Sequence, residues 1–416
     1  MERYIINGKK RLDGSVKIES AKNAVLPIIA ASIMTDEEIV INNCPKITDV
    51  LSMVRILNSL GVKTRFEEDN LIINSKSING TKISNSLGKE LRSSVFMMGA
   101  LLSRMKKAEV FYPGGCDIGL RPIDIHLDVL RTLGVSIEEI GGEIFCKADY
   151  IKGKEVYLDF PSVGATENAM LVAVFCQGKT EIHNAAKEPE IVDLMCFLNS
   201  MGAKVYGAGT STILIEGVKK LHGCSYTPIP DRIETGTFLV SVAMCGGEVE
   251  LTNCKIKNIL SLVHKLCNNT CKITSKNDII HIKSWGVGKA FDFSTSPYPG
   301  FPTDLQPQLL ALATISDGVS VITENLFETR FKHIPELIRM GADITVKGRT
   351  AIVTGVKSLY GAEVYANDLR GGAALTLAGL VAEGQTLVYG TNHIERGYAR
   401  FEEKLSSLGA QIQKKG

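Results

Sequence analysis

A cysteine and an arginine that could both do chemistry stand close together in the segment FYPGGCDIGLRPIDIHLDVL, residues 111–130. Gly114 and Gly115 permit backbone angles that other residues avoid, so we expect Cys116 at the exposed tip of a loop. Arg121 comes just before Pro122, a residue that suits the first position of a helix. Because nearby cations and helix N-termini lower the pKa of a thiol, Cys116 is a candidate nucleophile or proton donor. An ordinary tight turn is the alternative interpretation.

Polar or charged residues also stand at the start of several segments that are otherwise apolar. Burying an ionic group is costly unless it meets water or a ligand, and helix N-termini attract anions. If these helix starts converge, they predict an anion-binding surface. The residues are Lys22 and Asn23, Arg92, Thr166 and Glu167, Asp304, and Arg370.

Several common site motifs are excluded. The GKT at residues 178–180 resembles the end of a P-loop, but Ala173 occupies the position of the required first glycine. No G-x-G-x-x-G follows a strand, so we expect no dinucleotide cofactor. His264, Cys267 and Cys271 lack a C-x-x-C pair and an evident fourth ligand, so we also predict no metal site.

The composition is that of a globular protein without a general attraction for nucleic acid. The 416 residues carry a net charge of +2 and are 44% hydrophobic. No apolar run reaches the roughly 18–20 residues of a membrane span, and the charged start MERYIINGKKRLDG is not typical of a signal peptide. We expect a cytoplasmic protein whose ten scattered cysteines are mostly reduced and buried.

A repeat organises the chain. Gly61, Gly134, Gly202, Gly341 and Gly409 each end a phrase such as SLG or RMG, with spacings of 73, 68, 139 and 68 residues. Since 139 is about twice the shorter spacing, we infer six copies. Each copy predicts an apolar helix at the centre of a domain, a strand, an outer amphipathic helix that ends at the glycine, and another strand. Six copies favour two domains of three, with a crossing point in YTPIPDRIE, residues 226–234; an open solenoid that only binds partners is the alternative.

Longer segments resemble one known group of proteins, the UDP-N-acetylglucosamine enolpyruvyl transferases. This group is part of the larger enolpyruvyl transferase family. The resemblance covers essentially the whole chain and is clearest in AKNAVLPIIAA (21–31), PGGCDIGLRPIDIH (113–126), PSVGATEN (161–168), GFPTDLQPQ (300–308), NDLRGGAALTLAGLVAEG (367–384) and HIERGYARFEEKLSSLGA (393–410). It implies an α/β fold of two inside-out α/β barrel domains, each of three repeated βαβα-type units with buried central helices. The implied domains are residues 21–229, and residues 1–20 with 230–416, and the implied active site lies in the cleft between them.

The resemblance also implies an activity. Members of this family transfer the enolpyruvyl group of phosphoenolpyruvate to the 3′-hydroxyl of UDP-N-acetylglucosamine and release phosphate, in the first committed step of peptidoglycan synthesis. By resemblance, Cys116 is the acid and the thiol that fosfomycin alkylates, and Asp304 is the base that receives the hydroxyl proton. Lys22 and Arg396 complete the implied catalytic set. No metal or organic cofactor is implied.

The substrate-binding residues follow from the same resemblance. Those implied for phosphoenolpyruvate are Lys22, Asn23, Arg121, Arg370 and Arg396. Those implied for UDP-N-acetylglucosamine are Asn23, Arg92, Arg121, Pro122, Ile123, Asp124, Ile125, Ser162, Val163, Gly164, Asp304, Leu326 and Arg330.

Two alternatives remain open at this point. The sister reaction on shikimate 3-phosphate shares the fold, although the cysteine loop and the KNA start argue against it. A non-catalytic binder that kept the fold is the other, although the set Lys22, Cys116, Asp304 and Arg396 argues against that. The partners we expect are the two small-molecule substrates, with no nucleic acid and no membrane. The sequence makes no prediction of oligomeric state.

Overall fold

A computed structural model describes residues 2–112, 123–268 and 271–416 of the chain. Three predicted site residues, Cys116, Arg121 and Pro122, lie outside the described residues. The predicted sixth repeat ending, near residues 268–271, is described only in part.

Strands and helices are interspersed along the described residues. The strands are β1 Arg3–Asn7, β2 Leu12–Lys17, β3 Ile39–Ile41, β4 Lys63–Glu67, β5 Asn70–Asn74, β6 Lys107–Phe111, β7 Ser136–Ile140, β8 Glu143–Lys147, β9 Glu155–Tyr157, β10 Lys179–His183, β11 Lys204–Tyr206, β12 Thr212–Glu216, β13 Cys224–Tyr226, β14 Gly247–Thr252, β15 Cys271–Lys276, β16 Ile279–Ser284, β17 Phe293–Ser294, β18 Val319–Thr323, β19 Asp343–Lys347, β20 Thr350–Thr354, β21 Glu363–Tyr365, β22 Gln385–Tyr389 and β23 Gln411–Lys415. The α-helices are α1 Lys22–Ala31, α2 Thr48–Ser59, α3 Asn85–Glu90, α4 Phe96–Met105, α5 Asp124–Thr132, α6 Val163–Ala173, α7 Pro189–Ser200, α8 Arg232–Cys245, α9 Leu260–Cys267, α10 Gln306–Ala313, α11 Ile334–Arg339, α12 Leu369–Val381, α13 Thr391–Ile394 and α14 Phe401–Ser407. Short 3₁₀ helices span Ser32–Met34, Arg92–Val95, Ile256–Ile259 and Thr303–Leu305.

The described residues form two compact units. Of the described residues, the N-unit comprises 20–112 and 123–229, and the C-unit comprises 2–19, 230–268 and 271–416. The chain passes between them at residues 19–20 and again at 229–230. Two backbone hydrogen bonds pair these connections, from Ala21 N to Ile229 O at 2.7 Å and from Asp231 N to Glu19 O at 2.8 Å.

Each unit contains three sheets, one for each repeat. The sheets of the N-unit have the strand orders β13-β3-β5-β4, β6-β8-β7 and β11-β12-β10-β9. The short β13 pairs in parallel with β3, so the last segment of the N-unit completes the sheet of its first repeat. The three-stranded sheet has an isolated parallel bridge, between Lys82 and Glu109, where the other sheets have a fourth strand.

The sheets of the C-unit use both ends of the chain. Their strand orders are β15-β16-β14-β2, β17-β18-β20-β19 and β21-β22-β1-β23. The N-terminal strand β1 lies between β22 and β23, antiparallel to both, and β2 pairs in parallel with β14. The first residues of the chain therefore complete two sheets of the C-unit.

The apolar helices are buried, as predicted. In α10 every residue is buried, and in α8 and α12 all but one terminal residue are. Helices with apolar side chains on all sides must be covered all round, and the sheets and outer helices of each unit supply that cover. The prediction of α/β units with buried central helices is confirmed. Among the described strands the three sheets of a unit stay separate, so they form three walls around the helices rather than one continuous barrel.

The repeat glycines end the outer helices in the expected way. Gly61, Gly134, Gly202, Gly341 and Gly409 all have φ between 87° and 96°. L-residues with a side chain rarely adopt such angles, which explains why glycine recurs there. None of the helices that the structure describes combines the length and the apolar character needed to cross a bilayer.

Candidate active site

A carboxylate held by two arginines is the main charged cluster of the C-unit. Asp304 lies in the 3₁₀ turn before α10, Arg330 precedes α11, and Arg370 lies in the first turn of α12. Arg330 Nη2 donates to Asp304 Oδ1 at 2.9 Å, and Arg370 Nη2 donates to Oδ2 at 3.2 Å. The structure thus brings together three of the predicted site residues from two different repeats.

Both guanidinium groups of this cluster are buried with donors to spare. The side chains of Arg330 and Arg370 are each only 3% exposed. Within the described part of the chain, Nε of Arg330 and both Nε and Nη1 of Arg370 find no hydrogen-bond partner. Buried charged donors without partners are costly, so a bound anion is the natural acceptor for them.

The charge of Arg370 is secured by its neighbours. Burial alone opposes the charged form, but Tyr398, Asp304 and Asp231 outweigh it and raise the pKa of Arg370 above its ordinary value. These neighbours therefore favour the charged form of Arg370.

An N-cap aspartate fixes the start of the helix that carries Arg370. Asp368 Oδ1 accepts from the backbone N–H groups of Arg370 and Gly371, both at 3.0 Å. Asp231 caps α8 in the same way, through Ile233 and Glu234. Sequence reasoning did not single out either aspartate, although an aspartate directly before an apolar helix is a recognisable cap signal.

A neutral histidine lies beside the cluster. His333 is 2% exposed, and burial lowers its pKa to about 4, against the opposing effect of Asp368. The imidazole is thus uncharged near neutral pH and adds no further positive charge next to Arg330.

Glu324 links the loop of Leu326 to the turn of Asp304. Its Oε1 accepts from the backbone N–H of Leu326 at 2.9 Å, and its Oε2 accepts from the hydroxyl of Thr303 at 2.9 Å. Glu324 is 1% exposed and was not predicted from the sequence. Arg396, between α13 and α14, is half-buried.

The corresponding cation of the N-unit is Lys22, the first residue of α1. Its Nζ lies 2.6 Å from Asp49 Oδ2, and the two side chains are 12% and 4% exposed. Asp49 belongs to the first turn of α2 and was not predicted. Asn23 follows Lys22 and is half-buried, as is Arg92 at the start of the 3₁₀ turn before α4.

Two predicted groups of the N-unit meet through a histidine and an asparagine. Ile123, Asp124 and Ile125 form the start of α5, and Ser162, Val163 and Gly164 form the start of α6, where Ser162 is the N-cap. His126 Nδ1 lies 2.9 Å from Asn168 Nδ2, and a Cβ on Gly164 would approach His126 Cε1 to 2.7 Å. The contact of α5 with α6 therefore requires glycine at this position.

Glu167 corrects one expectation. We expected the polar start of α6 to contribute Thr166 and Glu167 to a ligand-facing surface, but both are 0% exposed. Burial raises the pKa of Glu167 well above its ordinary value, and Glu190 and Glu188 raise it further. A fully buried carboxyl with a raised pKa does not belong to a ligand-facing anion site. A polar residue at a helix start has the same sequence pattern in either case.

The arrangement is suited to holding anions and accepting a proton. Asp304 Oδ1 accepts from Arg330 and Oδ2 from Arg370, so both carboxylate oxygens are held in place by cations. Fixed cations around a reacting group stabilise charge that develops during reaction. Within residues 2–112, 123–268 and 271–416, no group of three or more His, Cys, Asp or Glu is arranged to hold a metal ion.

Comparison with known proteins agrees with this geometry. The sequence model of the family described as EPSP synthase (3-phosphoshikimate 1-carboxyvinyltransferase) matches residues 6–405. The chain belongs to this enolpyruvyl transferase family. It is 51% identical to UDP-N-acetylglucosamine 1-carboxyvinyltransferase 2 of Caldanaerobacter subterraneus subsp. tengcongensis, over 99% of both chains. It is 47% identical to the protein of the same name in Clostridium tetani, again over 99% of both.

Solved structures show the same fold across the family. The enolpyruvyl transferase NikO from Streptomyces tendae matches with a TM-score of 0.90 at 23% identity, covering 99% of this chain and 98% of that one. EPSP synthase from Acinetobacter baumannii matches with a TM-score of 0.78 at 19% identity, covering 99% of each. The enolpyruvyl transferase fold that the resemblance implied is confirmed.

Proposed function

We propose that this chain transfers the enolpyruvyl group of phosphoenolpyruvate to the 3′-hydroxyl of UDP-N-acetylglucosamine and releases inorganic phosphate. The observation that carries the proposal is identity of 51% along 99% of a relative that bears the name of this activity. The buried Arg330–Asp304–Arg370 cluster supplies a chemical reason for it, because the reaction needs a base and cations in one place.

Asp304 is the proposed base. As the 3′-oxygen forms its bond to C2 of phosphoenolpyruvate, the hydroxyl proton passes to a carboxylate oxygen of Asp304. Its two arginine partners hold the carboxylate in one orientation. A positioned base of this kind contributes about 10²–10⁴-fold to the rate.

Cys116 is the proposed acid, and it lies outside the described residues. Its proton goes to the methylene carbon, which makes C2 an electrophile for the sugar oxygen. In the elimination that follows, the new methyl group returns a proton to the Cys116 thiolate, the bond from C2 to the phosphate oxygen breaks, and the departing phosphate takes up the proton held by Asp304. The products are the enolpyruvyl sugar nucleotide and inorganic phosphate.

Four cationic residues and one asparagine are proposed to bind phosphoenolpyruvate. We assign Lys22, Asn23, Arg121, Arg370 and Arg396 to the phosphate and carboxylate of phosphoenolpyruvate. The spare Nε and Nη1 donors of Arg370 support its part of this assignment. Guanidinium groups suit both anions because their planar N–H pairs match the oxygens.

The starts of the N-unit helices are proposed to hold the sugar nucleotide. Residues 123–125 and 162–164 form the starts of two helices that the His126–Asn168 contact joins. Helix starts of this kind bind phosphate groups. The remaining proposed contacts are Asn23, Arg92, Arg121, Pro122, Asp304, Leu326 and Arg330. We also propose that the protein acts in the cytoplasm.

Phosphate release tests the proposal directly. Phosphoenolpyruvate is supplied with UDP-N-acetylglucosamine, and in parallel with shikimate 3-phosphate, to the wild type and to Cys116→Ala. We expect release with the UDP-sugar alone, and its loss in Cys116→Ala. Cys196→Ala is the matched control, because Cys196 is an exposed free thiol on α7. Phosphate release with shikimate 3-phosphate but not with the UDP-sugar would contradict the proposed substrate. The absence of release with both acceptors would contradict it as well.

A further inference from the structure

A buried polar network lies directly behind the charged cluster of the C-unit. Tyr398 is 1% exposed, and Thr237 and Gln308 are 0% exposed. The Tyr398 hydroxyl lies 2.8 Å from Thr237 Oγ1, and Gln308 Nε2 lies 3.1 Å from both oxygens. Thr237 belongs to α8 and Gln308 to α10, so the network joins central helices of two repeats to the segment before α14.

The direction of the hydrogen bonds follows from the donors available. Thr237 Oγ1 donates to the carbonyl of Ile233 at 2.8 Å, which uses its only proton. The Tyr398 hydroxyl must then donate to Thr237, while the Gln308 amide donates to both oxygens. Burial raises the pKa of Tyr398, with Arg370 opposing, so the phenol remains a neutral donor. One hydrogen-bond arrangement is therefore imposed on the ring.

The ring that this network orients supports Arg370. The guanidinium carbon of Arg370 lies 5.2 Å from the centroid of the Tyr398 ring, a cation–π distance. Phe401 packs against the same ring with centroids 4.7 Å apart, and Phe238 meets Phe401 edge-on at 5.9 Å. Tyr398 is thus fixed by hydrogen bonds at its hydroxyl and by aromatic packing at its ring.

We propose that Tyr398 is a positioning residue of the reaction, which holds the Arg370 guanidinium so that Arg370 in turn orients the Asp304 carboxylate toward the acceptor hydroxyl. The inference rests on the proposed function, because it assumes that Asp304 receives the proton. Displacing a reacting group by about 1 Å can cost about 100-fold in rate, so a fixed support behind Arg370 has a direct catalytic consequence.

The test compares two buried tyrosines of the C-unit in the full-length protein. Tyr398→Phe removes the hydroxyl and keeps the ring, and Tyr398→Leu removes both. Tyr4→Phe is the matched control, because Tyr4 is 0% exposed, lies in β1 and takes no part in the network of Thr237, Gln308 and Tyr398. We measure kcat, the KM for both substrates, and the pH profile of kcat.

We expect Tyr398→Phe to lower kcat by about 5- to 10-fold while the KM for UDP-N-acetylglucosamine changes less than about twofold, and Tyr398→Leu to lower kcat by about 100-fold. The acidic limb of the kcat profile should move to higher pH, because a carboxylate that is paired less tightly takes up a proton more readily. Tyr4→Phe should change none of these quantities. Wild-type values in Tyr398→Phe, or equal changes in Tyr4→Phe, would overturn the inference.

A binding measurement separates this inference from the proposed function. Inorganic phosphate is titrated against each protein while the melting temperature is followed. We expect Tyr398→Leu to need about 10-fold more phosphate than Tyr4→Phe for the same stabilisation, since Arg370 donors are less well placed. An inactive wild type would contradict the proposed function alone, whereas equal phosphate responses of the two variants would contradict the positioning role.

Discussion

Each unit joins its central helices through one buried side-chain amide, but the two amides have different partners. In the N-unit, Asn168 of α6 bonds to the backbone of α4, through Gly99 N–H at 2.9 Å and Val95 O at 3.1 Å, and to His126. In the C-unit, Gln308 of α10 bonds to the side chains of Thr237 and Tyr398. The Asn168 amide fixes backbone positions. The Gln308 amide instead bonds to Tyr398, whose ring lies against the Arg370 guanidinium.

The difference indicates how the two units divide the work. The Asn168 bonds hold the starts of α5 and α6 together, where we propose contacts with the sugar nucleotide. The Gln308 bonds end on Tyr398, behind Arg370 and Asp304, where we propose proton transfer. Loss of the Asn168 amide should therefore weaken substrate binding, and loss of the Gln308 amide should slow turnover. The following predictions test this division, from the largest expected effect to the smallest.

Asp304→Ala should have the largest effect. It removes the proposed base, so we expect kcat to fall by about 10²–10⁴-fold. It also leaves two buried guanidinium groups without their shared carboxylate, which should cost about 3 kcal/mol of stability. Kinetics and thermal unfolding measure the two effects, and Asp304→Asn controls for the loss of side-chain volume.

Inorganic phosphate makes this prediction sharper. In Asp304→Ala, Arg330 and Arg370 lose the carboxylate that they share, so both can bind one phosphate ion. Added phosphate should therefore raise the melting temperature of Asp304→Ala more than that of the wild type. A smaller rise in the variant would mean that the two arginines do not form an anion site, and the proposed roles of Arg330 and Arg370 would need to be abandoned.

Asn168→Ala and Gln308→Ala test the division directly. Each removes a buried amide and leaves its partners unsatisfied, so each should cost about 2 kcal/mol of stability. Asn168→Ala should raise the KM for UDP-N-acetylglucosamine by about 10-fold with kcat nearly unchanged, and Gln308→Ala should mainly lower kcat. Steady-state kinetics of both variants test this prediction. A lowered kcat in Asn168→Ala together with a raised KM in Gln308→Ala would contradict the proposed difference between the two amides.

Much of the fold follows from local sequence patterns. The apolar run GGAALTLAGLV predicts a fully buried helix, and α12 is one. The glycine after each outer helix predicts a positive φ, and all five have it. These features depend on neighbouring residues, so periodicity and cap signals reveal them.

The networks behind the site could not be predicted in this way. Thr237 and Tyr398 are 161 positions apart, and no local pattern relates them. Lys22 pairs with Asp49 on a different helix, and a lysine at a helix start has the same pattern whether solvated or paired. Glu167 was assigned to a surface for the same reason. Contacts between repeats depend on how three helices pack together.

Two buried glutamates, one in each unit, test the pH dependence of stability. Burial raises the pKa of Glu234 from 4.5 to about 7, although Lys404 lies 2.7 Å away and opposes the rise. Glu167 is raised by burial and by Glu190 and Glu188, and neither of its oxygens has a hydrogen-bond partner in the described structure. In both cases the folded protein binds the proton more tightly than the unfolded chain, so stability falls as pH rises above about 4.5.

Replacement by glutamine should separate the two. Glu167→Gln removes only the cost of ionisation, so it should raise the free energy of unfolding at pH 8 more than at pH 5. Glu234→Gln removes the same cost but also the partner of Lys404, which keeps only Glu19 at 3.1 Å, so we expect no gain. Urea unfolding at pH 5 and pH 8 measures both effects. A gain for Glu234→Gln equal to that for Glu167→Gln would show that the Lys404 pair has no stabilising role.

Alanine substitution of a repeat glycine should have the smallest effect on stability. We expect this effect to be the same in both units. Gly134 of the N-unit has φ 94° and Gly409 of the C-unit has φ 96°, and a Cβ at either would meet nothing closer than 3.5 Å. Alanine at either site is therefore strained by its backbone angle and not by crowding, at about 1 kcal/mol. Equal shifts in urea midpoint for Gly134→Ala and Gly409→Ala, with unchanged kcat and KM, would show that the repeat framework is equivalent in both units. A larger loss in one unit would mean that the units differ in their framework as well as in the residues behind their sites.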